Sequence, residues 1–117
     1  MTNIFSRGAM GRDSLGEFEH QILLAVLQHG GESYSVPIVI ELEERAGREV
    51  TQAAVFIVLR RLEEKGLVRS RLEDGDEETA RTRRYFRITA AGMRRLRESR
   101  RVLLRMWEGV DAVLDKG

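Results

Sequence analysis

Cysteine is absent from this chain of 117 residues. Its absence excludes disulfides, thiolate chemistry and cysteine-ligated zinc, and it fits a reducing compartment. Long apolar runs are missing as well: none approaches the roughly 20 residues needed to span a bilayer. The N-terminus has no apolar signal-peptide core, so the expected location is cytoplasmic, with no membrane partner. Histidine is scarce. His20 and His29 stand nine residues apart without a third nearby ligand, so they are expected to be packing or surface residues. No nucleophile with its base, phosphate loop or metal signature is visible, and acidic clusters such as Gly16-Glu17-Phe18-Glu19 read as solvated faces. The expectation is therefore no enzyme, no cofactor and no metal.

A net charge of +1 looks neutral until it is divided along the chain. From Met1 to Val50 there are four basic and eight acidic residues, whereas from Arg81 to Arg105 there are ten arginines against one acid, Glu98. Eighteen of the twenty basic residues are arginine, the side chain suited to forked contacts with phosphate or base edges. Such a run has two readings, a solvated surface or a polyanion-binding one, and its neighbours in the chain decide between them.

The organising stretch is Thr51 to Gly66. Val55, Val58, Leu59 and Leu62 recur at helical spacing and should face a core, which leaves Gln52, Ala53, Phe56 and Arg60 on the other side. Thr51 is placed to cap the first turn and Gly66 to follow the last. Before it, Leu15, Phe18, Ile22, Ala25 and Val26 form one stripe of a helix that Gly30-Gly31 ends, and Leu23, Leu24 and Leu27 form a second. A helix apolar on two sides needs two surfaces to pack on, its own domain and a partner subunit. A further helix opens at Ser35 with the only proline, Pro37, in its first turn, and Gly47 stops it. Its core face is expected at Val36, Val39, Leu42 and Ala46. Two short helices joined by residues 47–50 predict a helix-turn-helix whose second helix enters a major groove.

After Gly66 the period changes to alternation. Val68, Ser70 and Leu72 share one side of a strand and Leu67, Arg69 and Arg71 the other; Arg84, Phe86 and Ile88 alternate with Arg83, Tyr85 and Arg87. The connecting segment is polar and acidic, so contact with phosphate is expected from Arg71, Arg83 and Arg84, and less from Arg81 near the tip. Thr89 then caps a last helix expected to run almost to Gly117. Met93, Leu96, Leu103, Trp107, Val110 and Leu114 make a seam within it, interrupted by Arg100. Its distal half has no obvious surface inside so small a domain, which predicts a homodimer. The expected fold class is mainly α with a small β-hairpin, a winged helix-turn-helix plus a C-terminal dimerisation helix. The expected divisions are a mobile arm at 1–13, the winged unit at 14–88 and the dimerisation helix at 89–117.

The order of these motifs, LGEFEHQILLAVLQHGGESYS, RLEEKGLV and RRYFRITAAG followed by MRRLRESRRVLLRMWEG, resembles the PadR family of bacterial winged-helix regulators in its short, single-tail branch. The likeness covers roughly residues 15–113. It implies repression of transcription by a homodimer on a palindromic operator, often relieved by a small molecule. It also implies subunit pairing through the N- and C-terminal helices, which here means Leu15, Phe18, Ile22, Leu96, Leu103, Trp107, Val110 and Leu114. The DNA-facing positions it implies are Tyr34 and Ser35 with the central helix from Thr51 and the hairpin arginines. Two departures stand out: Phe56-Ile57 replaces the usual tyrosine followed by proline or threonine, removing a hydroxyl at Phe56, and Tyr34-Ser35 replaces tyrosine-glycine.

Gln52 has the amide geometry for adenine and Arg60 the reach for phosphate or guanine, although both are also ordinary exposed helix residues. Ala53 permits close approach. Phe56 either touches a thymine methyl or packs on the preceding helix, and packing is favoured. Trp107 either fills space on the seam or stacks on a planar aromatic effector, and space-filling is favoured. Two function classes follow: a DNA-binding repressor, or a winged-helix module whose arginine-rich surface meets an acidic protein.

Overall fold

The computed structural model describes residues 15–75 and 82–116. The expected arm at 1–13, the acidic Asp76, Glu77 and Glu78 and the weaker phosphate candidate Arg81 lie outside the described residues. Helix α1, Glu17–Gln28, begins at Gly16, whose amide donates to the Glu19 side chain at 3.1 Å. Its buried stripe is Ile22, Leu23, Ala25 and Val26, while Leu24 faces solvent. Gly30 and Gly31 then take φ of 80° and 96°, a region that side chains with a Cβ rarely enter, and the chain reverses. It enters a two-residue strand, β1, Glu32–Ser33. Nothing in the alternation pattern announces a strand that short.

Helix α2, Ser35–Ala46, tolerates Pro37 because amides in a first turn have no intrahelical acceptor. It stops at Gly47 in the left-handed region, with the Arg48 amide donating back to the Leu42 carbonyl at 3.0 Å. Its core residues are Ile38 and Leu42. This corrects the expected face: Ala46 is exposed, and Val36 and Val39 are only half-buried. The helix packs against two neighbours, and that double contact sets its rotation a little away from the stripe of best spacing.

Helix α3, Gln52–Glu64, follows the expectation at both ends and on its inner face. The Ala54 amide donates to Thr51 Oγ1 at 3.0 Å, Gly66 has φ 78°, and Val55, Val58, Leu59 and Leu62 are buried. Strands β2, Val68–Glu73, and β3, Arg83–Ile88, form the hairpin, and β1 adds to the far edge of β3, so the antiparallel order is β1-β3-β2. The register pairs Val68 with Ile88, Ser70 with Phe86 and Leu72 with Arg84, as the alternation predicted for one face. Phe86 on the central strand is fully buried and joins α1, α2 and α3 in one core.

Helix α4, Ala90–Trp107, is capped by Thr89, which accepts from the Gly92 amide at 3.1 Å and donates to the Gly66 carbonyl at 2.7 Å. The expected single tail helix is interrupted. Gly109 at φ 79° separates α4 from a short helix, α5, Asp111–Lys116. Two residues expected at a subunit contact, Ile22 and Leu96, lie instead inside this subunit's own core. The first turns of α4 thus belong to the winged unit, not to a separate tail.

The joint between α4 and the sheet is close. A Cβ added at Gly92 would lie 2.3 Å from the Leu67 carbonyl oxygen and 2.7 Å from Ile88 Cγ1. Gly92→Ala should therefore push α4 off the sheet and destabilise the fold by about 2 kcal/mol or more. Urea unfolding reads this, and an unchanged midpoint would show that the joint yields freely.

Candidate nucleic-acid interface

With its apolar stripe turned inward, α3 exposes Gln52, Ala53, Phe56, Ile57 and Arg60 on the opposite side. The Thr51 oxygen is committed to capping, so its contribution is to start this helix in place. Phe56 meets Phe86 of β3 edge-on, with ring centroids 5.8 Å apart. Ile57 beside it is the most exposed large apolar residue of α3, at 57%, and spacing alone did not single it out.

Helix and hairpin are joined by a polar chain. Arg60 Nη1 donates to Glu63 Oε1 at 3.2 Å; the other Glu63 oxygen accepts from the Ser70 amide at 3.0 Å and hydroxyl at 2.6 Å; Arg84 Nη1 donates to Ser70 Oγ at 2.9 Å. Arg84 therefore lies on the helix-facing side of the hairpin with Phe86, as the alternation expects, half-buried and holding Ser70. The Ser70 hydroxyl bond, helped by the Ser70 amide and by the charges of Arg60 and Arg84, keeps the Glu63 carboxyl below its usual range despite some burial.

The other face of the sheet carries Arg69, Arg71 and Glu73 on β2, Arg83, Tyr85 and Arg87 on β3, and Glu32 on β1. The guanidinium groups of Arg71, Arg83 and Arg87 are engaged. Arg71 lies 4.8 Å over the Tyr85 ring, forks onto Glu32 through Nε at 3.0 Å and Nη2 at 3.2 Å, and reaches Glu73 through Nη1 at 2.6 Å. Arg87 stands 3.7 Å from Glu32. Arg83 lies 4.6 Å over the ring of Tyr34, which in turn packs on Tyr85 at 5.2 Å. Tyr34, at the N-cap of α2, is thus brought beside Arg83 and Tyr85 by aromatic stacking that the sequence did not reveal, and Ser35 opens the helix after it. Glu32 was missed outright, since a lone acid in a glycine-rich turn carries no periodic signal.

On α4, on α5 and in the turn between them, Leu103, Trp107, Val110 and Leu114 are exposed, and so are Leu104, Met106 and Val113. The stripe is wider than the expected seam. Leu15 and Phe18 are half-buried against this subunit's core, with the Arg48 guanidinium 4.4 Å over the Phe18 ring. The groove along α4 is lined by Arg97, Arg100, Arg101, Leu104, Arg105 and Glu108, so Trp107 is not part of it. His20 Nδ1 lies 3.3 Å from Ser99 Oγ and His29 Nε2 3.4 Å from Glu41, and partial burial lowers the His20 pKa. Among the described residues no group of three or more His, Asp or Glu side chains is placed to hold a metal ion, and no helix is long and apolar enough to cross a membrane.

The sign of the pH effect follows from Glu63. Its folded pKa lies below the ordinary 4.5, so the Ser70 bonds stabilise the fold above that value and their contribution is lost as pH falls through the depressed value. Glu63→Gln should lose about 1 kcal/mol at neutral pH and show a flatter loss of stability than the parent between about pH 5 and pH 3. Parallel slopes in urea unfolding would remove Glu63 from this role.

Comparison with known proteins bears on the same arrangement. The sequence profile described as the transcriptional regulator PadR-like family matches residues 23–98. Against curated protein sequences there is no significant match. A PadR family transcriptional regulator from Eggerthella lenta DSM 2243 is similar in structure, with a TM-score of 0.66 at 24% identity over 98% of this chain and 96% of that one. A PadR-like transcription factor from Bacteroides fragilis gives 0.69 at 23% over 95% and 98%. Bacillus subtilis PadR, solved in complex with operator DNA, gives 0.59 at 19% over 70% of this chain and 45% of that one. At these identities the structures speak for the winged-helix fold; the profile spans well over half of the sequence, and the chain belongs to the transcriptional regulator PadR-like family.

Proposed function

We propose that this protein is a sequence-specific DNA-binding regulator, a repressor that meets a palindromic operator as a homodimer in the cytoplasm. The observation that carries the reading is the exposed side of α3, Gln52 to Arg60, standing beside a hairpin rich in arginine in a chain of this family. That Bacillus subtilis PadR was solved with operator DNA supports it. In this reading the winged unit contacts DNA, and the part of α4 beyond Arg100 pairs the subunits together with α5. Gln52 reads a base edge, Ala53 permits the approach, Phe56 offers a thymine-methyl contact from its exposed edge, and Arg60 and Arg83 meet phosphate. The exposed apolar stripe from Leu103 to Leu114 supports pairing, because a lone subunit would leave it in water. Release by a planar aromatic effector that stacks on Trp107 completes the reading; tryptophan fluorescence that stays unchanged across a panel of such compounds would remove it.

The decisive experiment is selection of bound duplexes from a random pool. It should return two inverted half-sites centred about one helical turn apart, roughly 34 to 36 Å. Gln52→Ala should relax preference at one base position of that consensus; an identical consensus would remove Gln52 from readout. Arg83→Ala should weaken binding to every sequence and reduce the salt slope by about one. Failure to discriminate among duplexes, with binding to acidic proteins instead, would favour the interaction-module reading.

A further inference from the structure

The outer face of the sheet reads as cationic from sequence, yet part of that charge is paired within the sheet. Arg71 meets both Glu32 and Glu73, and Arg87 meets Glu32, while Arg69 and Arg83 add positive charge to the same face. Glu32 is the hub. It sits at the edge strand, its carboxylate takes both Nε and Nη2 of Arg71, and Arg87, its cross-strand partner, approaches the same oxygen pair. This is the forked geometry in which arginine also grips a phosphate, so the two acceptors are mutually exclusive at Arg71. The guanidinium has little freedom to look elsewhere, because it is pinned over Tyr85 and tied to Glu73 at its remaining nitrogen. The Arg71 hydrogen bond, with the charges of Arg71 and Arg87, holds the Glu32 carboxyl below its usual range, so the competing charge is present at any physiological pH.

We infer that Glu32 is a built-in counter-ion that competes with DNA phosphate for Arg71 and so restrains the sequence-independent part of binding. The inference rests on the DNA-binding reading above and adds to it the residue that sets how strongly the wing grips. Binding to phosphate carries no sequence information, and every further phosphate that an arginine neutralises steepens the salt dependence. A carboxylate occupying the fork keeps one phosphate from being neutralised in this way, and it also repels the approaching backbone. The protein then depends more on what α3 contributes.

The test is Glu32→Gln, which keeps the shape and removes the charge, measured with the full chain on a random-sequence duplex and on the selected operator over a range of salt. Affinity for both duplexes should rise, roughly threefold or more at low salt, and the slope of log affinity against log salt should steepen by about one. In an Arg71→Ala background the same substitution should raise affinity less than about half as much, because the released fork is gone. Far-UV circular dichroism checks that β1 still pairs. Wild-type protein that binds and discriminates while Glu32→Gln leaves affinity unchanged, or lowers it, would overturn the counter-ion role alone; lowering would mean that Glu32 orients Arg71 for DNA. An increase of undiminished size without Arg71 would also overturn it. If wild type and variant both fail to bind any duplex, the DNA-binding reading falls and takes this role with it.

Discussion

Burial of four side chains on one helix governs the molecule's outward face. An α-helix turns about 100° per residue, so once Val55, Val58, Leu59 and Leu62 are inside, no freedom remains in which residues point out. Gln52, Ala53, Phe56, Ile57 and Arg60 are exposed as a consequence. The ends are held equally well, by the Thr51 cap and by Gly66 in a backbone region it enters without strain. Phe86 supplies the floor: it is the buried residue of the central strand and the surface on which Phe56 rests. The angle between α3 and the hairpin is set by this aromatic contact together with the Glu63–Ser70 bonds.

Charge on the hairpin is a matter of pairing, not of count. Arg84, Arg71 and Arg83 are close in sequence but have three different environments. One faces α3 and holds Ser70, one is clasped by two carboxylates, and one lies over a tyrosine ring. Exposed ion pairs of this kind contribute little to stability, about 1 kcal/mol or less each. Their weight falls on what the face can bind.

The tail has two parts with different physical roles. Through Leu96 and Gly92 the start of α4 is packed on the winged unit, as tightly as a glycine backbone against a carbonyl allows. Beyond Arg100 every described residue is exposed, including a run of large apolar side chains, and Gly109 turns the chain before α5. A continuous seam of constant 3-4 spacing hid both the division and the break, because spacing records which residues share a side and not whether anything covers it.

The amino-acid sequence by itself determined the order of the helices and the hairpin, the caps at Thr51 and Thr89, the glycine stops and the inner face of α3. Each of these depends on residues within a turn or two of one another. Helical and alternating periods, capping oxygens and positive-φ glycines are local physics. The tertiary structure alone decided the rest: the two-residue strand at Glu32, the rotation of α2 that buries Ile38, the inward place of Ile22 and Leu96, and the partners of each arginine. Those outcomes depend on contacts between residues far apart in the chain, such as Glu32 with Arg71 and Tyr34 with Arg83. No periodicity records such contacts, because what brings the partners together is the packing of sheet against helices around Phe86.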